Sequence, residues 1–139
     1  MKIFVYFIGR PKDAHSNAIA EDFLARAARF SPCEMREINP AKFDLFERHP
    51  NARKIFLDPQ GRELDSPAFA KLLDDAQMQG RDLVFLIGGH EGLTPDYRRR
   101  ADLLLSLSKM TWPHELARAM LAEQIYRGFA ILKNHPYVR

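Results

Sequence analysis

The chain has one cysteine, Cys33, among its 139 residues. An internal disulfide is therefore impossible, and with no export signal in view a reducing cytoplasm is the expected compartment. Neither CxxC nor HExxH occurs, and the five histidines show no ligand spacing, so no metal site is predicted. GxGxxG and GxxxxGK[ST] are absent too, which removes the classical dinucleotide and nucleoside-triphosphate cradles. No apolar run approaches the length of a membrane span. The opening MKIFVYFIGRPKD lacks a small-residue cleavage site and meets Arg10, Lys12 and Asp13 at once, so it reads as a strand and not a signal peptide. Without repeats, low-complexity segments or a linker, residues 1–139 read as one domain, large enough to bury a core. Acidic residues are scarce in one region: residues 98–139 carry 8 Lys/Arg against 3 Asp/Glu, whereas residues 1–97 carry 13 against 15. A basic C-terminal third suits a polyanion such as nucleic acid, but charge alone favours a helix with a solvated basic face.

What is present alternates between strand and helix patterns. Lys2–Gly9 is apolar on both faces and reads as a central strand. Ser16–Phe30 has helical spacing, with Ile19, Phe23, Ala27 and Phe30 on one stripe, Ala20 and Leu24 beside it, and Asp13 or Ser16 as cap. Glu34–Asn39 is a short strand, and Pro40–Asn51 a polar connector with room for one helical turn. Lys54–Asp58 is a compact strand closed by a Pro59-Gln60-Gly61 turn. Ser66-Pro67 opens a helix with the serine as cap, buries Phe69, Leu72, Leu73 and Ala76, and ends at Gly80. Leu83–Ile87 is an inner strand, Thr94–Ala101 a short helix, Leu103–Leu107 a strand and Pro113–Leu132 a long helix. The class is α/β with a mainly parallel sheet.

In such a sheet ligands bind beyond the carboxyl ends of strands. Three of these ends carry unusual loops: DPQG after Leu57, GGHEG after Ile87, and SLSKM up to Met110. Glycines let a backbone come close to a ligand. His90 and Glu91 could be acid/base groups, but read first as an exposed imidazole and a helix-flanking carboxylate. Helix position accounts for Glu115. Arg98, Arg99 and Arg100 form either a solvated helix face or a grip on phosphates. Spacing alone leaves Tyr137 and Arg139 as ordinary terminal residues, and it names no reaction.

The segments LIGGHEGL, LSLSKMTWPHELARAMLAEQIYRGFAI and NHPYVR closely resemble the ribosomal RNA large-subunit methyltransferase H family, small SPOUT-class methyltransferases. The resemblance covers essentially the whole chain. It is strongest from Leu83 onward and is carried more weakly by DFLARAARF and FLDPQG. It implies a SPOUT fold, a parallel-sheet core with a C-terminal deep trefoil knot, in place of a simple open sheet. It implies a homodimer that methylates N3 of a pseudouridine in 23S rRNA on the assembled ribosome, with S-adenosyl-L-methionine as cofactor. By motif position the cofactor contacts fall on Leu57, Gly88, Gly89, Ser106, Leu107, Ser108, Lys109, Met110 and Thr111. Tyr137 and Arg139 match a tail that reaches the partner's cofactor, and are assigned to the substrate. Arg98, Arg99 and Arg100 become candidates for RNA contact. Two departures stand out: Val138 occupies the place of the family's tail histidine, and the region between Ile38 and Lys54 is short and lacks a Lys-rich helix. A divergent member with another RNA substrate, or a non-catalytic ribosome-binding module, is the alternative they leave open.

Overall fold

The computed structural model describes residues 1–139. Five strands, β1 (Ile3–Phe7), β2 (Cys33–Glu37), β3 (Arg53–Glu63), β4 (Leu83–Ile87) and β5 (Leu103–Ser106), form one sheet in the order β2-β1-β4-β3-β5. Every pairing is parallel. Helices α1 (Ala14–Ala27), α2 (Leu45–Arg48), α3 (Ser66–Gln79), α4 (Pro95–Arg100) and α5 (His114–Leu132) fill the connections, and a 3-10 turn at Pro136–Val138 ends the chain. No helix is long and apolar enough to cross a membrane.

Both faces of the sheet are covered, which explains the uninterrupted apolar runs in β1 and β4. All five residues of β4 are buried. One face packs Ile3, Val5, Phe7, Phe85 and Ile87 against α1, α3 and α5 in the main core. The other carries a smaller core of Tyr6, Leu45, Phe56, Val84 and Leu86. β1 and β4 are neighbours whose onward connections leave toward opposite edges, to β2 and to β5. A crevice opens beyond the carboxyl ends of strands where connections diverge in this way, so the topology itself selects the end of the sheet that can hold a ligand.

Three expectations need correction. β3 does not stop at a Pro59-Gln60-Gly61 turn but runs on to Glu63. Leu57 and Arg62 both pair with Leu105, so residues 58–61 bulge out of the ladder. Pro59 has no N–H to give a ladder, and the Asp58 carboxylate accepts from Gln60 N at 2.8 Å, which closes the bulge. Gly61 is needed for its missing side chain: a Cβ there would meet the Leu104 carbonyl at 2.6 Å.

The buried stripe of α1 is rotated from the expected one. Asn17, Ala20, Leu24 and Ala27 face inward, while Ile19 is 46% exposed. Polar Asn17 faces inward because it meets partners on α5, described below, that no local apolar pattern encodes. Asp13 is the cap of this helix, and its carboxylate accepts from Ser16 Oγ at 2.6 Å and His15 N at 3.1 Å. On α3 the cap is Asp65, accepting from Ala68 N, and not Ser66, whose hydroxyl instead donates to Gln124 on α5. Gly80 ends α3 in the left-handed region at φ 65°, as its position suggested.

Candidate methyl-donor site

The carboxyl ends of β3, β4 and β5 and the start of α5 enclose a cavity of about 250 Å³. Leu57, Asp58 and Pro59 bring the β3 bulge into its wall, and Gly88, Gly89 and His90 bring the loop after β4. Ser106, Leu107, Ser108, Met110 and Thr111 supply the loop after β5, with His114 and Ala117 from the first turns of α5. An adjoining cavity of about 350 Å³ shares Leu105, Ser106, Leu107 and Trp112 with it and extends toward Phe69 and Gln124. The three loops singled out by their small and polar residues thus converge. Of the nine residues expected to contact a cofactor, only Lys109 is not part of the wall; its side chain is 90% exposed and lies 4.0 Å from Glu63.

Local hydrogen bonds shape these walls. Ser106 Oγ donates to the Ser108 carbonyl at 2.8 Å, and Ser108 Oγ accepts from Met110 N at 3.0 Å, folding the loop after β5 back on itself. Gly92 N donates to the Gly89 carbonyl at 3.0 Å, closing the loop after β4. That loop is tight on both sides: a Cβ on Gly88 would lie 2.9 Å from the Gly92 carbonyl carbon, and one on Gly89 3.0 Å from the Ile8 carbonyl oxygen. The lining mixes apolar walls (Ile87, Leu93, Leu105, Leu107 and Trp112) with a few polar groups, the usual make-up of a small-ligand site. Local spacing gave no sign that Ile87, Leu93 or Ala117 would line it. Trp112, the only tryptophan and next to the predicted loop, was the signal available.

The basic residues of α4 are internally compensated. Arg98 Nε lies 2.9 Å from Asp58 Oδ2, and its Nη2 donates to Gln60 Oε1, so it holds the β3 bulge. Arg99 and Arg100 both reach Asp96, and the Arg100 guanidinium lies 3.7 Å from the centre of the Phe46 ring. Burial pushes the Cys33 thiol up to about 12, so it is no nucleophile at neutral pH. No group of three or more His, Cys, Asp and Glu side chains is arranged around a possible cation.

Glu115 does more than favour a helix start. Its carboxylate accepts from the backbone N–H groups of Lys12 and Asp13 and from Asn17 Nδ2, tying the loop after β1 to α5. These hydrogen bonds, the one from Lys12 N foremost, lower its pKa from the ordinary 4.5 to about 2. A carboxyl depressed on folding lends stability that is complete above its unfolded value and is lost as pH falls through the folded one. The thermal midpoint is therefore expected to drop between pH 4.5 and about 2, and to drop less in Glu115→Gln, as followed by circular dichroism across that window. Beneath this tie sits Arg118, 0% exposed, with Nη1 donating to Asn17 Oδ1 at 3.1 Å and Nη2 to the Gly9 carbonyl at 3.4 Å. Its guanidinium lies 3.7 Å from the centre of the Phe7 ring, and its Nε has no partner.

The tail lies elsewhere. Tyr137 packs 4.7 Å from the Tyr126 ring and donates its hydroxyl to Glu123 Oε2 at 2.8 Å, while Arg127 Nε donates to both oxygens of Glu123. His135 Nδ1 accepts from Tyr137 N and caps the terminal turn. From Ala117 at the cavity to Tyr126 beside the tail is roughly 13 Å along α5 at 1.5 Å per residue. Tyr137 and Arg139 accordingly do not line the cavity of their own chain.

A family model described as "Predicted SPOUT methyltransferase" matches residues 1–137. The chain is 71% identical over 139 residues to the ribosomal RNA large subunit methyltransferase H of Solibacter usitatus, covering 100% of both chains. It is 40% identical over 154 residues to the protein of that name from Cereibacter sphaeroides, covering 100% of this chain and 99% of that one. Among solved structures, a probable methylase family protein from Haemophilus influenzae superposes with a TM-score of 0.62 at 13% identity, over 95% of this chain and 68% of that one. An AdoMet-bound rRNA methyltransferase from Sinorhizobium meliloti gives a TM-score of 0.53 at 11% identity, over 91% and 56%. At such identities the structures speak for the fold alone; the sequence relatives carry the assignment. Fold, cavity and end-to-end identity agree: the chain belongs to the ribosomal RNA large subunit methyltransferase H family of SPOUT methyltransferases.

Proposed function

We propose that the chain is an S-adenosylmethionine-dependent methyltransferase acting on N3 of a pseudouridine in 23S rRNA of the assembled ribosome, as a cytoplasmic homodimer with its C-terminal part threaded as a trefoil knot. The observation that carries this is the convergence of the loops after β3, β4 and β5 on one cavity, in a chain that aligns end to end with a relative of that name. That relative aligns over the same 139 residues without remainder, so the short Ile38–Lys54 region is shared with a protein of that name.

The residues present fit the cofactor. Leu57, Gly88, Gly89 and the 106–111 loop would hold it: backbone amides and serine hydroxyls for its polar edges, and Ile87, Leu93, Leu105 and Leu107 for its apolar ones. When bound, S-adenosylmethionine supplies a sulfonium methyl that is already electrophilic. What remains for the chain is to orient the base and to handle the N3 proton. His90 stands in the cavity wall, where an imidazole can accept a proton, whereas His135 Nδ1 is occupied in capping the tail. With Val138 in place of the tail histidine, we assign proton acceptance to His90. Arg139 of the partner stabilises the base anion, and Tyr137 contacts the base. Isothermal titration of the purified protein with S-adenosylmethionine is expected to show one site per chain; absence of binding heat at millimolar cofactor would refute the reading.

A further inference from the structure

We propose that Arg10 and Lys12, on the loop between β1 and α1, grip backbone phosphates of the RNA at the rim of the cavity. This rests on the methyltransferase reading above. The loop leaves the sheet beside the cavity wall: Ile8 N donates to the Ile87 carbonyl at 3.1 Å, and the Ile8 carbonyl oxygen lies directly against Gly89. From there the chain turns at Gly9, with φ 102°, and presents Arg10 and Lys12 to solvent.

Two properties distinguish these cations from the others near the site. The first is freedom. The side chains of Arg98, Arg99 and Arg100 each hold a carboxylate of their own chain, whereas the side-chain nitrogens of Arg10 and Lys12 have none within 4.0 Å. A cation already paired must give up that partner to bind a phosphate, and an unpaired one need not. The second is rigidity. Glu115 accepts from the N–H groups of Lys12 and Asp13, and Arg118 donates to the Gly9 carbonyl while lying against Phe7. Glu115 and Arg118 stand on the turns of α5 that also place His114 and Ala117 in the cavity wall. The cation-bearing loop and the cofactor wall are therefore braced by one buried network. Arg118, charged and with an unpartnered Nε, is a costly choice for packing alone, and a brace that fixes phosphate grips relative to the reacting methyl gives it a role. The rigid loop also loses little entropy when RNA binds.

The test uses purified ribosomes as RNA and compares the parent with Arg10→Ala/Lys12→Ala and with Arg99→Ala. For the double variant the apparent KM for ribosomes is expected to rise at least ten-fold, with a much smaller change in kcat and with cofactor affinity within about two-fold. Losing two phosphate contacts should also flatten the dependence of log K for ribosomes on log salt by roughly 1.4, about 0.7 per contact on single-stranded nucleic acid. Arg99→Ala should change both far less. Glu115→Gln keeps both charges but loosens the loop, so it should raise KM while leaving the salt slope at the parent value. An unaltered KM and salt slope in the double variant would overturn the assignment of this loop. A parent that binds no cofactor and methylates nothing would instead overturn the reading of the cavity, so the two failures are distinct.

Discussion

Replacing Arg139 by alanine is expected to lower methyl transfer by about 100-fold or more, the range seen when one stabiliser of a developing anion is removed, while cofactor affinity stays within two-fold. The separation follows from where the tail sits. Arg139 is exposed, has no carboxylate of its chain within 4.0 Å, and lies beyond the far end of α5 from the cavity. The turn that bears it is held by the Tyr137–Glu123–Arg127 contacts and the His135 cap, none of which uses its guanidinium. Its loss therefore leaves the fold and the cavity intact and removes only a free cation, the one that the proposed function assigns to the partner subunit's site. The proposed action in trans adds a second readout. Arg139→Ala mixed with a cavity variant should recover about a quarter of parental activity, since half the dimers of a random two-fold assembly are mixed and one of their two sites is whole. Failure of such mixtures to recover activity, with mixed dimers demonstrated by mass, would place the tail's action within its own chain.

Gly88→Ala is the cavity variant of choice and the second large effect. Its new Cβ would stand 2.9 Å from the Gly92 carbonyl carbon. That neighbour is backbone, and the Gly92 N–H to Gly89 carbonyl bond closes the same loop, so the whole GGHEG segment must shift and its wall of the cavity moves with it. We expect cofactor affinity to fall at least ten-fold, about 1.4 kcal/mol or more. The thermal midpoint should change little, because His90, Glu91 and Gly92 are exposed and carry no part of either core. Unchanged affinity by calorimetry would show that this loop does not border the bound cofactor.

The sheet was largely legible in the sequence because β1 and β4 are buried on both faces, and an apolar run without alternation has few other meanings. The three candidate loops were legible for a related reason: small and polar residues directly after such runs mark strand ends. What escaped depends on contacts far apart in the chain. β3 continues past Pro59 because β5 pairs with it on both sides of a bulge, and nothing local to DPQG announces that. Ile19 is exposed and Asn17 buried because Asn17 is matched to Arg118 and Glu115, about a hundred residues away. A helix start accounts locally for Glu115, and nothing near it in sequence announces that its carboxylate accepts from the Lys12 and Asp13 amides. Run-length alone could not distinguish Arg98–Arg100, tied to Asp58 and Asp96, from the isolated Arg10 and Lys12.

The most direct test of the account is mass-spectrometric mapping of 23S rRNA after ribosomes lacking the modification are incubated with this protein and isotopically labelled S-adenosylmethionine. The account predicts one labelled methyl group, on N3 of a pseudouridine, appearing with the parent protein and, at sub-saturating cofactor, several-fold more slowly with Gly88→Ala. Ribosomes that stay unlabelled while the protein binds them, or a label on another base or on transfer RNA, would contradict it.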